Sequence, residues 1–350
     1  MNGADQALRI AQIAPVATAV APETGESVEH LVGMLSDGLR ARGHDVTLYA
    51  TADSRTRARL RSVLPRGYDD EEGIWDWYRA ESFNSALAFE HASDHDVIHA
   101  HNAHFALPFA SLVNTPLVDT AHTDIPPEVM AEYRRRPAVH VVAPSAHQQR
   151  SLGDRPSVSV IPHGIQFAAF PHTDRAEGYL LFLGRMLMDK GPAQAIRIAQ
   201  ASGMPLILAG PAQDGYDVRE EPALDGEQIR WVGRVGLEER NRLLSGAVAL
   251  LFPLQYPEPF GLVLIEAMAC GTPVLATELG AVSEIVEVGI TGFTATGWEG
   301  LAQCVGAAAA LDRAVVRRAA KRRFDAEVMI DRHELLYRTI VQQRERTARG

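Results

Sequence analysis

This sequence has little cysteine, little lysine, no excess of positive charge and no long apolar run, and each shortage excludes something. Its two cysteines in 350 residues, Cys270 and Cys304, form neither a C-x-x-C pair nor an even framework of four or more. That rules out a disulfide scaffold and a cysteine zinc site and fits a reducing compartment. The longest unbroken apolar run, Ala247 to Phe252, stops at Pro253, far short of the ~18–20 residues of a membrane helix. Met1 to Ala7 carry neither the basic start nor the apolar segment of a signal peptide. A cytoplasmic protein is expected, with a peripheral membrane contact left open because it needs only a local patch. Formal net charge is -10, and neither half is basic: 14 basic against 21 acidic residues up to position 170, 20 against 23 beyond it. That argues against a nucleic-acid binder.

Hydrophobic residues at 46% and charged residues at 22% exclude wholesale disorder. The length suits two domains at ~150 residues each. An apolar segment, Leu8 to Ile13, precedes Val28, Leu31, Val32, Leu35 and Leu39 at helical spacing, and Val46 to Ala50 follows Gly43. Strand, helix and strand in that compass form a βαβ unit and predict a parallel sheet. Strand-like runs recur at Val97 to His101, Pro116 to Thr120, His140 to Pro144 and Val158 to Pro162. Phe167 to Gly178 breaks the rhythm and reads as a linker, after which the same alternation restarts at Tyr179 and a helical tail runs from Ala302 to Gln343. The expected class is α/β, with two doubly wound parallel-sheet domains facing a central cleft. Their boundaries are placed at 1–170 and 171–329, with a final helix at about 330–350 packing back on the first domain. Ligand is expected at the carboxyl ends of the strands.

Two segments carry chemistry. Gly184 to Gly191 lies between a strand and a helix, where helix amides and basic side chains converge on phosphate. It is not a Walker A loop, and no G-x-G-x-x-G occurs. Of 34 basic residues only Lys190 and Lys321 are lysines, so Lys190 reads either as a point charge aimed at phosphate or as an ordinary solvent lysine. In Glu258 to Pro273, Glu258 precedes a helix whose first turn holds Gly261, leaving backbone amides accessible to an anion. Glu266 lies eight residues on, among Leu264, Ile265, Ala267 and Met268. A carboxylate there needs partners, such as a ribose diol, unless it is an exposed glutamate on an amphipathic helix.

The Glu258/Glu266 pair resembles the E-x7-E motif of retaining GT-B glycosyltransferases of family 4, the glycogen-synthase-like and mannosyltransferase-like group. Gly184-Arg185 with Lys190-Gly191 looks like that family's diphosphate clamp. Ile161-Pro162-His163-Gly164-Ile165 is similar to its interdomain crossover, and Gly233-Arg234-Val235 to its base-contacting turn. The likeness runs from Ile10 to about Phe293 with the motifs in order. It implies a GT-B fold of two Rossmann-like domains and transfer of a hexosyl group from a nucleotide-diphosphate sugar with retention of configuration. By the resemblance Arg185 and Lys190 neutralise the diphosphate, Glu266 holds the ribose, and Glu258 faces the sugar beside the amides of Phe260, Gly261 and Leu262. The backbone of Val235 meets the base, and His122 stands near the sugar. No metal or other cofactor is implied; the nucleotide sugar is a co-substrate and the acceptor is open. One departure stands out. The family's first loop carries a Gly-Gly pair, whereas Thr24 to Glu29 keeps only Gly25, beside Glu26.

Other signals are weaker. Asp94-His95-Asp96 precedes a strand where a metal-binding D-x-D would follow one, and reads as a junction. His99 and His101 share a strand face without nearby carboxylate or cysteine partners for zinc; cleft-lining histidines are expected, with His101 on the acceptor side. Arg134 to Arg136 reads as a solvated loop or, alternatively, an anionic contact. Rival functions are another GT-B activity, such as an epimerase or inverting transferase, and a non-catalytic sugar-binding protein.

Overall fold

A computed structural model of the chain describes residues 6–21, 28–69, 76–155, 157–213 and 216–349. Gly25 and Glu26 lie outside these residues. The chain divides into two compact units, one running to Gly164 and resuming at Ala326, the other Ile165–Asp325.

In the first unit, β1 (Arg9–Ile13), β2 (Asp45–Tyr49), β3 (Arg59–Arg61), β4 (Val97–Ala100), β5 (Leu117–Thr120), β6 (His140–Ala143) and β7 (Val158–Val160) form one parallel sheet. Its order is β3-β2-β1-β4-β5-β6-β7, and Ile10 lies opposite Val46 on one side and Val97 on the other. The central strands are buried along nearly their whole length, which is why they read as apolar runs without alternation. Helix α1 (Val28–Ala41) buries Leu31, Val32, Leu35 and Leu39 on one face, the spacing seen in the sequence. The other helices here are α2 (Trp77–Glu90), α3 (Pro127–Arg135) and α4 (Ala146–Ser151).

The second unit repeats the plan with β8 (Leu180–Leu183), β9 (Leu206–Ala209), β10 (Ile229–Trp231), β11 (Ala249–Phe252), β12 (Val274–Thr277) and β13 (Gly292–Ala295). All pairs are parallel, in the order β10-β9-β8-β11-β12-β13. Its helices are α5 (Pro192–Ser202), α6 (Leu237–Gly246), α7 (Leu262–Ala269), α8 (Val282–Ile285), α9 (Trp298–Ala309) and α10 (Arg313–Phe324). The last helix, α11 (Ala326–Arg349), belongs to the first unit and packs on α1. Among the described residues no helix is long and apolar enough to cross a membrane.

Several local expectations change. Phe167, in the stretch read as a linker, is 1% exposed in the core of the second unit, with the Arg317 guanidinium donating to its carbonyl. Arg134 and Arg135 close the last turn of α3 rather than a loop, and Arg136 pairs with Glu132 one turn back. Asp96 has a structural employment: its carboxylate accepts from the Arg9 backbone N–H at 2.9 Å and from the Arg9 guanidinium at 2.6 Å. These bonds tie the start of β1 to the start of β4.

Candidate active site

In a doubly wound sheet the crevice for ligand opens where strand order reverses, which in the second unit is between β8 and β11. The two chemistry-bearing segments follow these neighbouring strands. After β8 the chain runs through a short turn, Met188–Lys190, to Gly191 at φ +80. A Cβ at Gly191 would lie 2.0 Å from the Pro253 carbonyl oxygen, so only glycine lets the two loops approach. The Gln255 N–H donates to the Asp189 carbonyl at 2.8 Å and fixes that approach.

The result is a direct pairing. Lys190 Nζ donates to Glu258 Oε1 at 2.8 Å and to the Tyr256 hydroxyl at 2.7 Å, and lies 4.9 Å from the Tyr256 ring centroid. Burial disfavours this ammonium, but the carboxylate and the hydroxyl more than offset it and hold Lys190 above the usual lysine range. Glu258 Oε2 is sealed from solvent without a hydrogen-bond partner among the described residues. Its backbone is pinned by the Ala281 N–H, which donates to the Glu258 carbonyl at 3.0 Å. Immediately beyond, Gly261 takes φ +97 at the start of α7, and no side chain caps that helix end. A cation, a carboxylate with a vacant acceptor and an uncapped helix N-terminus therefore lie together, an arrangement suited to an anion carrying hydroxyl groups.

The remaining expected residues differ in exposure. Arg185 is exposed and turned to solvent, while Leu262 and Val235 are partly buried against the core. Phe260 is 4% exposed and meets Phe324 edge-to-face at 6.0 Å, so its ring anchors the loop. Glu266 is 4% exposed, which removes the reading as an exposed glutamate. Its partner within the protein is Arg240 of α6, itself 2% exposed and ion-paired to Glu266 Oε2. Sequence reasoning missed Arg240, although Arg240, Leu243 and Leu244 share the i, i+3, i+4 face that α6 buries. It also missed Tyr256, two residues before Glu258.

In the first unit the corresponding edge lies between β1 and β4, and histidines gather there. His101, just past β4, places Nδ1 3.0 Å from His122 Nε2 and Nε2 2.9 Å from Gln12 Oε1. His99 contacts the Tyr337 hydroxyl through Nδ1 at 2.6 Å and Thr120 Oγ1 through Nε2 at 2.7 Å. His163 stacks on His122 with centroids 5.0 Å apart, and His333 Nδ1 donates to the Met329 carbonyl. His104 stacks instead on Phe105. Gln12, Tyr337 and His333 were not singled out from sequence, and His163 was noted only as part of the crossover motif.

Burial holds His99, His101 and His122 well below the usual histidine range, His163 down to about 3 and His333 to about 4. The unfolded chain protonates its histidines near pH ~6.5. Below that pH it binds protons the folded state refuses, so stability present above pH ~6.5 is lost on acidification. Burial also raises Glu81 to about 7 and Asp119 to about 8, and these two carboxyls act in the opposite sense. Five histidines outweigh two acids, so the urea midpoint is expected to fall between pH 7.5 and 5.5. A midpoint that holds or rises would contradict the neutral cluster.

Comparison with known proteins agrees with this architecture. Residues 28–168 match the model for Glycosyltransferase Family 4 and residues 168–301 that for Glycosyl transferases group 1. Glycogen synthase from Mycobacterium tuberculosis is 28% identical over 329 residues, covering 77% of each chain. The crystal structure of AviGT4, a glycosyltransferase involved in avilamycin A biosynthesis, superposes with a TM-score of 0.72 at 28% identity, over 96% of this chain and 98% of that one. Anabaena HepE, solved in complex with UDP, shares the fold with a TM-score of 0.72 at 19% identity, over 94% of this chain and 99% of that one. The chain is a family 4-like glycosyltransferase with the GT-B fold of two Rossmann-like units.

Proposed function

We propose that the protein transfers a sugar from a nucleotide-diphosphate donor to an acceptor hydroxyl with retention of anomeric configuration and without a metal. The observation that carries this reading is the Lys190–Glu258 pair at the β8/β11 edge, with Glu258 Oε2 left vacant beside the uncapped end of α7. In this reading Lys190 and Arg185 meet the diphosphate, the amides of Phe260, Gly261 and Leu262 complete its charge balance, and Glu258 accepts from a sugar hydroxyl. Glu266 takes the ribose diol, the Val235 backbone meets the base, and His122 orients the sugar. Gly25 remains the first loop's candidate for backbone approach to phosphate, and His101 lies on the acceptor side.

The chemistry is a front-face displacement. The bond from the anomeric carbon to the leaving phosphate oxygen breaks while the acceptor oxygen bonds to the same face, and the acceptor proton passes to the leaving phosphate. Charge developing on that phosphate is stabilised by fixed cations and helix amides. UDP bound to the HepE fold supports a nucleoside diphosphate as the leaving group.

Calorimetry with UDP, ADP and GDP in excess EDTA tests the donor clamp. The parent protein is expected to bind one of them. Arg185→Ala and Lys190→Ala are each expected to weaken that binding by roughly 1.5–3 kcal/mol, the range for a charged hydrogen bond. Unchanged affinity in both variants, or binding by the parent only when a divalent metal is restored, would contradict it.

A further inference from the structure

We propose that Gln12 and His101 are positioning residues that hold His122 as its Nε2–H tautomer, so that Nδ1 is presented as a bare acceptor to a hydroxyl of the transferred sugar. The inference rests on His122 being the substrate-contacting residue assigned above.

Donors and acceptors alternate along the first unit's switch point. A carboxamide oxygen only accepts, so His101 Nε2, 2.9 Å from Gln12 Oε1, carries the proton. A neutral imidazole has one N–H, which leaves His101 Nδ1 as a lone pair. The atom 3.0 Å from that lone pair is His122 Nε2, which must therefore donate. His122 Nδ1 is then unprotonated. It is sealed from solvent and has no hydrogen-bond partner among the described residues. All members are neutral because burial holds both histidines far below the usual range.

The Gln12 amide is one member of a longer series that reaches α11. Gln12 Nε2 donates to the Tyr337 oxygen at 3.1 Å, and the Tyr337 hydroxyl donates on to His99 Nδ1 at 2.6 Å. His99 Nε2–H ends the series on Thr120 Oγ1 at 2.7 Å. With the Gln12 oxygen facing His101, residues of β1, β4, β5 and α11 together place one proton on one ring. Turning the Gln12 amide over would reverse every donor between Gln12 and His122 and make His122 Nδ1 a donor. A tautomer error at a positioned histidine is a severe fault in enzymes that depend on one ring nitrogen. The relay also gives His101 a task other than touching an acceptor, since both of its nitrogens are engaged within the protein.

The tautomer is read directly by long-range 1H–15N correlation of the full-length, ligand-free protein labelled at histidine nitrogens, with His122 assigned from the peaks lost in His122→Gln. The expected spectrum shows Nε2 protonated and Nδ1 bare. A proton on Nδ1 would overturn the proposal whether or not any variant folds. Gln12→Leu removes the acceptor and is expected to mix the His122 tautomers. Its kcat should drop about tenfold, between an even mixture's twofold and the ~100-fold of losing a positioned group, with donor KM little changed. Gln12→Glu keeps an acceptor for His101 and is expected to restore the single tautomer and most of the turnover. An unchanged His122 tautomer in Gln12→Leu would overturn the relay. A tautomer that follows these expectations while His122→Ala turns over normally would leave the relay standing and remove His122 from the substrate.

Discussion

Arg240→Leu is expected to destabilise the protein by roughly 3–5 kcal/mol, because it strands the Glu266 carboxylate without its cation inside the second unit. Both members of the pair are nearly inaccessible, at 2% and 4% exposure, so water cannot replace the lost partner. The double variant Arg240→Leu/Glu266→Leu removes both charges at similar volume and is expected to return close to the parent's stability. Its nucleotide affinity should not return with it if Glu266 also holds the ribose. The two variants thereby separate a folding role from a binding role, which Glu266→Gln alone would confound. Urea unfolding monitors the first quantity and calorimetry the second. A loss under about 1 kcal/mol in Arg240→Leu would show that the pair contributes no more than a surface contact.

His122→Ala is expected to keep nucleotide affinity and to lose at least ~100-fold in sugar transfer, the lower end for a positioned catalytic group. His122 touches His101 and stacks on His163, and the first unit's core lies elsewhere, around residues such as Ile98, Leu117 and Val141. Removing the ring therefore takes away an acceptor more than it takes away packing. A group that strengthens its bond in the transition state lowers kcat more than it raises donor KM when deleted. Near-normal turnover in a folded His122→Ala would take this residue out of the reaction.

The architecture was legible where burial on both sides made strands apolar and where helices kept a 3.6-residue stripe, as in β1, α1 and β2. It was illegible where those causes lapse. β3 is a three-residue edge strand, Arg59–Arg61, with no apolar run to announce it, and β13 begins at Gly292. Helix α2 has Trp77, Tyr78 and Phe83 about half exposed while it buries Glu81 and Asn84, so its pattern inverts the usual stripe. At the site, Lys190 and Glu258 were readable singly, from lysine scarcity and from a carboxylate before a helix. Their mutual contact was not, because 68 residues separate them. The same holds for Gln12 and Tyr337, which are 325 residues apart. Glu266 illustrates a partial success. Its need for a partner followed from its apolar neighbours, but a ribose was the partner considered, and Arg240 supplies one from within the fold.

Retaining transfer from a nucleotide sugar without a metal is tested most directly by proton NMR of a turnover reaction in excess EDTA. The screen supplies candidate α-linked nucleotide sugars and acceptors and follows the anomeric proton of donor and product together. Release of the nucleoside diphosphate and a new signal with α coupling from the first turnovers are expected, and neither event in Glu258→Gln. A β-linked initial product, or turnover that stops with EDTA and returns with manganese, would contradict it.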